Sequence, residues 1–132
     1  MINTVIFDLD GTLLNTLEDL KNSTNYALSQ FGFPTHSTED IRKFVGNGVK
    51  KLIERAVPKN CDTKITTKCL EIFKEHYSKN MYNNTKPYNS IIEILKELRN
   101  NGAKIAVVSN KFDSAVKKLC SIYFGNLIAH LK

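Results

Sequence analysis

The chain has little that could form a disulfide framework or a structural zinc site. Its three cysteines, Cys61, Cys69 and Cys120, are odd in number and include no CxxC pair. Reduced thiols in a cytoplasmic protein are therefore expected, not a cross-linked secreted scaffold. The N-terminus lacks the basic segment, apolar run and small-residue cleavage site of a signal peptide. No apolar run approaches the roughly 20 residues that span a bilayer, so no membrane partner is expected. Internal repeats and low-complexity tracts are absent. His36, His76 and His130 have no neighbours at metal-ligand spacing, which makes structural or exposed roles the expectation for all three. Basic and aromatic residues do not interleave as in an RNA-binding module, so nucleic acid is not an expected partner.

What is present is the balance of a globular protein. Hydrophobic residues make up 42% of the chain and charged residues 24%, which excludes disorder as the default. A length of 132 residues suits one ordinary domain, or a small core with an insertion. Nineteen Lys and Arg against thirteen Asp and Glu leave a formal charge of +6. Such a field concentrates anions and suits a small phosphorylated metabolite. The lysines are spread along the chain, which is also the pattern of a solvated surface.

Residues 3–8 and 104–109 read as short apolar strands covered on both faces. Between them, apolar residues recur at helical spacing. One run extends from Leu17 to Phe31, with Asn15 or Thr16 as its cap and Gly32 as its stop. Ser37 and Asp40 resemble a capping box for a short helix through Val45. Further helices are expected from Val49 to Val57, from about Ile65 to Tyr77, from Ile91 to Leu98, and from near Asp113 to about Cys120. Residues 127–131 have the pattern of a third strand. Apolar strands joined through a helix imply a parallel sheet with a right-handed crossover. The helices of residues 16–83 are too many for one crossover. The expected fold is α/β, a partial Rossmann-like core with parallel strands and an inserted helical cap: core residues 1–15, cap 16–83, core 84–132.

The string DLDGTLLNT begins at Asp8, where the first strand ends. In open parallel sheets, ligands bind beyond the carboxyl ends of the strands. Alternation along the extended chain puts Asp8 and Asp10 on one side, where two carboxylates repel. That cost makes sense if a divalent cation sits there, or if one carboxylate carries a proton. Gly11 permits a sharp turn, and the Thr12 hydroxyl can hold the loop by local hydrogen bonds. A plain surface turn is the alternative for an Asp-Gly pair. Ser109, Asn110 and Lys111 close the second strand just before a helix, which is a natural place for a phosphate. The loop Gly46-Asn47-Gly48 opens another helix and could approach a substrate closely, with Arg42, Asn47 and Lys51 as candidates to meet an anionic group.

DLDGTLLNT resembles the first signature of the haloacid dehalogenase superfamily, in its phosphatase branch. IRKFVGNGVKKLIERAV resembles the cap segment of its phosphoglycolate phosphatase-like members. KPYNSIIEILKELRNNGAKIAVVSNK resembles the return to the core and the second signature. The resemblance implies a magnesium-dependent phosphoric monoester hydrolase. Asp8 would attack phosphorus and form an aspartyl-phosphate. Asp10 would protonate the leaving alcohol and then activate water. Mg2+ would be held by the Asp8 carboxylate and the Asp10 backbone carbonyl. Gly11, Thr12, Ser109, Asn110 and Lys111 would surround the phosphate. Arg42, Asn47 and Lys51 would meet the rest of the substrate. The substrate itself stays open among phosphoglycolate, a nucleotide, a sugar phosphate and pyrophosphate. Asn15 departs from the aspartate often found at its position.

The superfamily has two further signatures, one supplying a lysine and one an acidic pair for the metal. Neither can be placed in the residues after Lys111, so a chain truncated at its C-terminus is expected. A catalytically incompetent form that binds magnesium or phosphate weakly is the reading from another class. In this superfamily the first strand lies inside the sheet. Without its later neighbours it becomes an edge, which invites self-association.

Overall fold

The structure, a computed structural model, describes residues 4–109, Lys111 and residues 113–131. Along the chain run β1 (Thr4–Asp8), β2 (Leu14–Asn15), α1 (Leu17–Ser29), α2 (Thr38–Phe44), α3 (Val49–Ala56) and α4 (Thr63–Asn80). There follow β3 (Lys86–Pro87), α5 (Ile91–Asn100), β4 (Lys104–Val108), α6 (Asp113–Phe124), a 3₁₀ turn at Gly125–Leu127 and β5 (His130–Leu131). The chain divides into two compact units: Met1–Thr16 with Thr85–Lys132, and Leu17–Asn84.

The first unit is α/β. Its parallel sheet has the order β1-β4-β5. β1 and β4 pair from Thr4↔Lys104 to Asp8↔Val108, and β4 and β5 pair at Ala106↔His130 and Val107↔Leu131. A small antiparallel pair, Leu14↔Pro87 and Asn15↔Lys86, joins β2 to β3; two-residue strands carry too few alternating positions to be recognised in sequence. Ile105 and Val107 of β4 are fully buried, as are Leu95 of α5 and Leu119 of α6. Burying each such side chain contributes about 1.5–3 kcal/mol relative to leaving it in water.

β1 departs from the expectation of a strand covered on both faces. Ile6 is 65% exposed, and Val108 of β4 is exposed as well. The register puts Ile6 beside Ala106, on the opposite side of the pleat from Ile105 and Val107. β1 also ends the strand order. An unbroken apolar run reports what a strand can bury, not whether its own unit supplies the cover.

The second unit is helical, with no strand among its described residues. α1 packs chiefly on α4. Leu20, Thr24, Ala27 and Leu28 on one helix and Cys69, Phe73 and Tyr77 on the other are buried, at the three- and four-residue spacing of a helix face. The rings of Phe73 and Tyr77 stack with centroids 5.4 Å apart. Ser37 caps α2 by accepting from the Asp40 amide at 3.2 Å, and Asp62 caps α4 by accepting from the Lys64 amide at 2.8 Å. The carboxylate of buried Asp19 accepts from the Asn84 backbone amide at 2.9 Å and its side-chain amide at 3.0 Å, tying the last residue of the unit to the first turn of α1. No helix among the described residues is long and apolar enough to cross a membrane.

Candidate active site

The pairing Asp8↔Val108 makes the carboxyl ends of β1 and β4 level. The turn after β1 and the segment after β4 therefore leave the sheet from the same end. Leu9, Leu13 and Leu14 are fully buried and anchor the turn, while Asp8, Gly11 and Thr12 remain exposed. The Leu9 carbonyl accepts from the amides of Leu13 at 3.1 Å and Leu14 at 3.0 Å, and the Gly11 amide donates to the Leu14 carbonyl at 2.9 Å. Gly11 holds φ at +82°, a value that suits glycine and strains any other residue. Among the described residues the Thr12 hydroxyl makes no hydrogen bond, contrary to its expected role in the loop. The backbone bonds to Leu9 and Leu14 already close the turn and leave that side chain in solvent. Strand geometry stops at Asp8, so the turn places Asp10, not the two-residue alternation assumed from sequence.

Asp8 is exposed, and its Oδ1 accepts from the Leu9 amide at 2.9 Å. Asp10 is half-buried. Its Oδ1 accepts from the Thr16 hydroxyl at 2.7 Å and lies 3.2 Å from the Lys111 ammonium, whose side chain is only 1% exposed. The Thr16 hydroxyl, directly before α1, donates to Asp10, and Asn15 is an exposed member of β2. Ser109 is half-buried, and its Oγ accepts from the Lys111 amide at 3.1 Å. Asn110 lies outside the described residues. Beneath the site, burial and then the negative charge of Asp10 push the Cys120 thiol up to about 11, so it stays protonated and unreactive.

No group of three or more His, Cys, Asp or Glu residues gathers among the described residues. The exposed Asp8 carboxylate, with the Asp10 backbone carbonyl beside it, still fits magnesium, which commonly takes one or two protein carboxylates and completes its octahedron with water and substrate phosphate.

Arg42, Asn47 and Lys51 all lie in the helical unit and are exposed. Arg42 pairs with Glu39 at 3.5 Å and Lys51 with Glu54 at 3.6 Å. Asn47 accepts from Arg55 Nη2 at 2.9 Å, and Arg55 Nη1 donates to the Phe44 carbonyl at 2.7 Å. Arg55 was not legible as a loop-holding residue, because only the turn between α2 and α3 carries positions 44 and 47 back to it. Of the histidines, His76 contacts Ser23 at 2.7 Å and stacks on Tyr26, while His36 lies between Asp40 and the Ala56 carbonyl. The side chain of His130 lies outside the described residues.

Among curated proteins, the chain is 34% identical over 118 residues to the phosphoglycolate phosphatase of Aquifex aeolicus, covering 89% of this chain and 54% of that one. It is 38% identical over 112 residues to that of Haemophilus influenzae, covering 80% and 50%. The chain spans about half the length of the curated relatives it matches. Among solved structures, a predicted phosphoglycolate phosphatase from Haemophilus somnus superposes with a TM-score of 0.93 at 30% identity, covering 98% of this chain and 61% of that one. The family model of the haloacid dehalogenase-like hydrolases matches residues 5–123. With that match spanning most of the chain and the aspartate turn lying within it, the chain belongs to the haloacid dehalogenase-like hydrolase family.

Proposed function

We propose that this chain carries the nucleophile of a magnesium-dependent phosphoric monoester hydrolase whose substrate is a small phosphorylated metabolite, phosphoglycolate first among the candidates. The observation that carries this is the level placement of the Asp8–Asp10 turn and the Ser109 turn at the carboxyl end of β1 and β4. The names of the relatives support phosphoglycolate over a nucleotide, a sugar phosphate or pyrophosphate.

Asp8 attacks phosphorus with its exposed carboxylate, and the electron pair of the breaking P–O bond moves to the leaving oxygen. Asp10 gives that oxygen a proton and later takes one from the water that attacks the aspartyl-phosphate. The Ser109 hydroxyl, with Asn110 and the turn at Gly11 and Thr12, holds the phosphoryl oxygens. Mg2+, held by Asp8 and Asp10, would neutralise charge between carboxylate and phosphate. The helical unit is read as the cap, and Arg42, Asn47 and Lys51 are its candidates to bind an anionic group of the substrate. The protein works in the cytoplasm, and the exposed edge at Ile6 lets it self-associate.

The test is release of phosphate from 2-phosphoglycolate with excess magnesium, and formation of a beryllium fluoride adduct. Asp8→Asn is expected to abolish both. Undiminished turnover in that variant would overturn the mechanism. A second reading, weak magnesium and phosphate binding without efficient turnover, is favoured by the lack of a third acidic ligand among the described residues. Adduct formation without turnover would select it.

A further inference from the structure

Resting on the reading of Asp10 as the acid–base group, we propose that Lys111 is a positioning residue for Asp10 and not a ligand of the phosphate. The Lys111 ammonium is 3.2 Å from Asp10 Oδ1, and its side chain is 1% exposed where that of Asp10 is 28% exposed. A phosphate arriving from solvent therefore meets the open side of Asp10, while the ammonium is withdrawn from solvent. The Thr16 hydroxyl donates to the same Oδ1 at 2.7 Å. These two donors come from the two chain segments of the first unit, and their convergence on one oxygen sets the plane of the carboxylate. Oδ2 is then the oxygen that gives its proton to the leaving group as the P–O bond breaks. The delivery of Lys111 is itself built in. Its backbone amide donates to Ser109 Oγ at 3.1 Å, which turns the chain directly after β4 and directs residue 111 to the β1 end.

A phosphate ligand and a positioning residue predict different losses. An alkyl alcohol needs a proton to leave, whereas p-nitrophenolate does not. In Lys111→Met, kcat/KM, which reports the steps through phosphoryl transfer, is expected to fall roughly 10- to 100-fold for 2-phosphoglycolate, a partial loss of the usual general-acid advantage. For p-nitrophenyl phosphate it should stay within about 3-fold, inhibition by inorganic phosphate should hold, and Lys111→Arg should recover part of the loss. Equal losses on both substrates, with weaker inhibition by phosphate, would overturn the proposal.

A second measurement uses the unmodified chain and needs no turnover. A buried, hydrogen-bonded ammonium exchanges slowly and gives an observable ¹H–¹⁵N signal. The Lys111 signal is expected in the native chain, should move or vanish in Asp10→Asn, and should persist when magnesium and inorganic phosphate are added. Absence of that signal, or its indifference to Asp10→Asn, would overturn the proposal. If the native chain hydrolyses neither ester, the proposed function fails, and the ammonium signal still decides the contact.

Discussion

Asp19→Ala is the sharpest test of how the helical unit is held closed on itself. The Asp19 carboxylate is 2% exposed and accepts from the Asn84 backbone amide at 2.9 and 3.1 Å and from its side-chain amide at 3.0 Å. Hydrogen bonds to a charged acceptor contribute about 1.5–3 kcal/mol, and a buried donor left unpaired costs about 1–3 kcal/mol. Asn84 is exposed, so water can take over part of its bonding and the loss belongs at the low end. Asp19 also sits in the first turn of α1, where an anion adds about 0.3–1 kcal/mol through the helix dipole. The expected destabilisation is about 2 kcal/mol. For a domain of roughly 60–100 residues that lowers the unfolding midpoint by about 8–16 °C. Far-ultraviolet circular dichroism would follow the melt, with Asn84→Ala and the double variant completing a cycle. Because Asn84→Ala keeps the backbone amide, additivity of the two single variants would refute the side-chain part of the coupling, and a shift under about 2 °C in Asp19→Ala would refute the magnitude.

Burial lowers the pKa of His76 below its ordinary 6.5, so the folded unit prefers the neutral ring. The unfolded chain then takes up the proton first. Stability is whole above about pH 6.5 and declines as pH falls through the lowered folded value, and urea midpoints between pH 7 and 5 should show a shallower decline in His76→Gln. Burial above all, with a smaller contribution from Cys61, pushes the Cys69 thiol up to about 11, and Cys120 reaches about 11. At pH 8 in the native chain, mass spectrometry after brief iodoacetamide treatment should find label on half-buried Cys61 and not on Cys69 or Cys120. Ile6 is 65% exposed on the terminal strand of the sheet order, so light scattering should show association at high concentration, suppressed by Ile6→Lys.

Much of this fold was legible residue by residue. The strands at Thr4–Asp8 and Lys104–Val108 and the helices from α1 to α6 follow from local periodicity and from stops at Gly32, Pro58 and Gly102. The α6 helix runs on to Phe124 because Phe124 continues the buried face of Ala115, Val116, Leu119 and Cys120. The aspartate turn was legible for a similar reason. Its chemistry lies in nine contiguous residues, and Gly11 is required by the backbone it occupies.

Contacts between residues distant in the chain were not legible, because periodicity reports which face a residue takes and not what stands opposite. Residues 10, 16 and 111 meet only once the turn at Leu9–Leu14 reverses and the parallel pairing of β1 with β4 brings the two loops to one end. That closure made Thr16, expected only as a helix cap, a donor to Asp10, and put the Lys111 ammonium on a carboxylate. The same logic exposed Ile6: an apolar strand carries its hydrophobicity in its residues, but whether each face is covered depends on neighbours that the pairing order supplies or withholds. Local sequence sets conformational preference through sterics and burial period, whereas the partner of each charge and the cover of each face are settled by packing across long loops, whose geometry no short stretch of chain encodes.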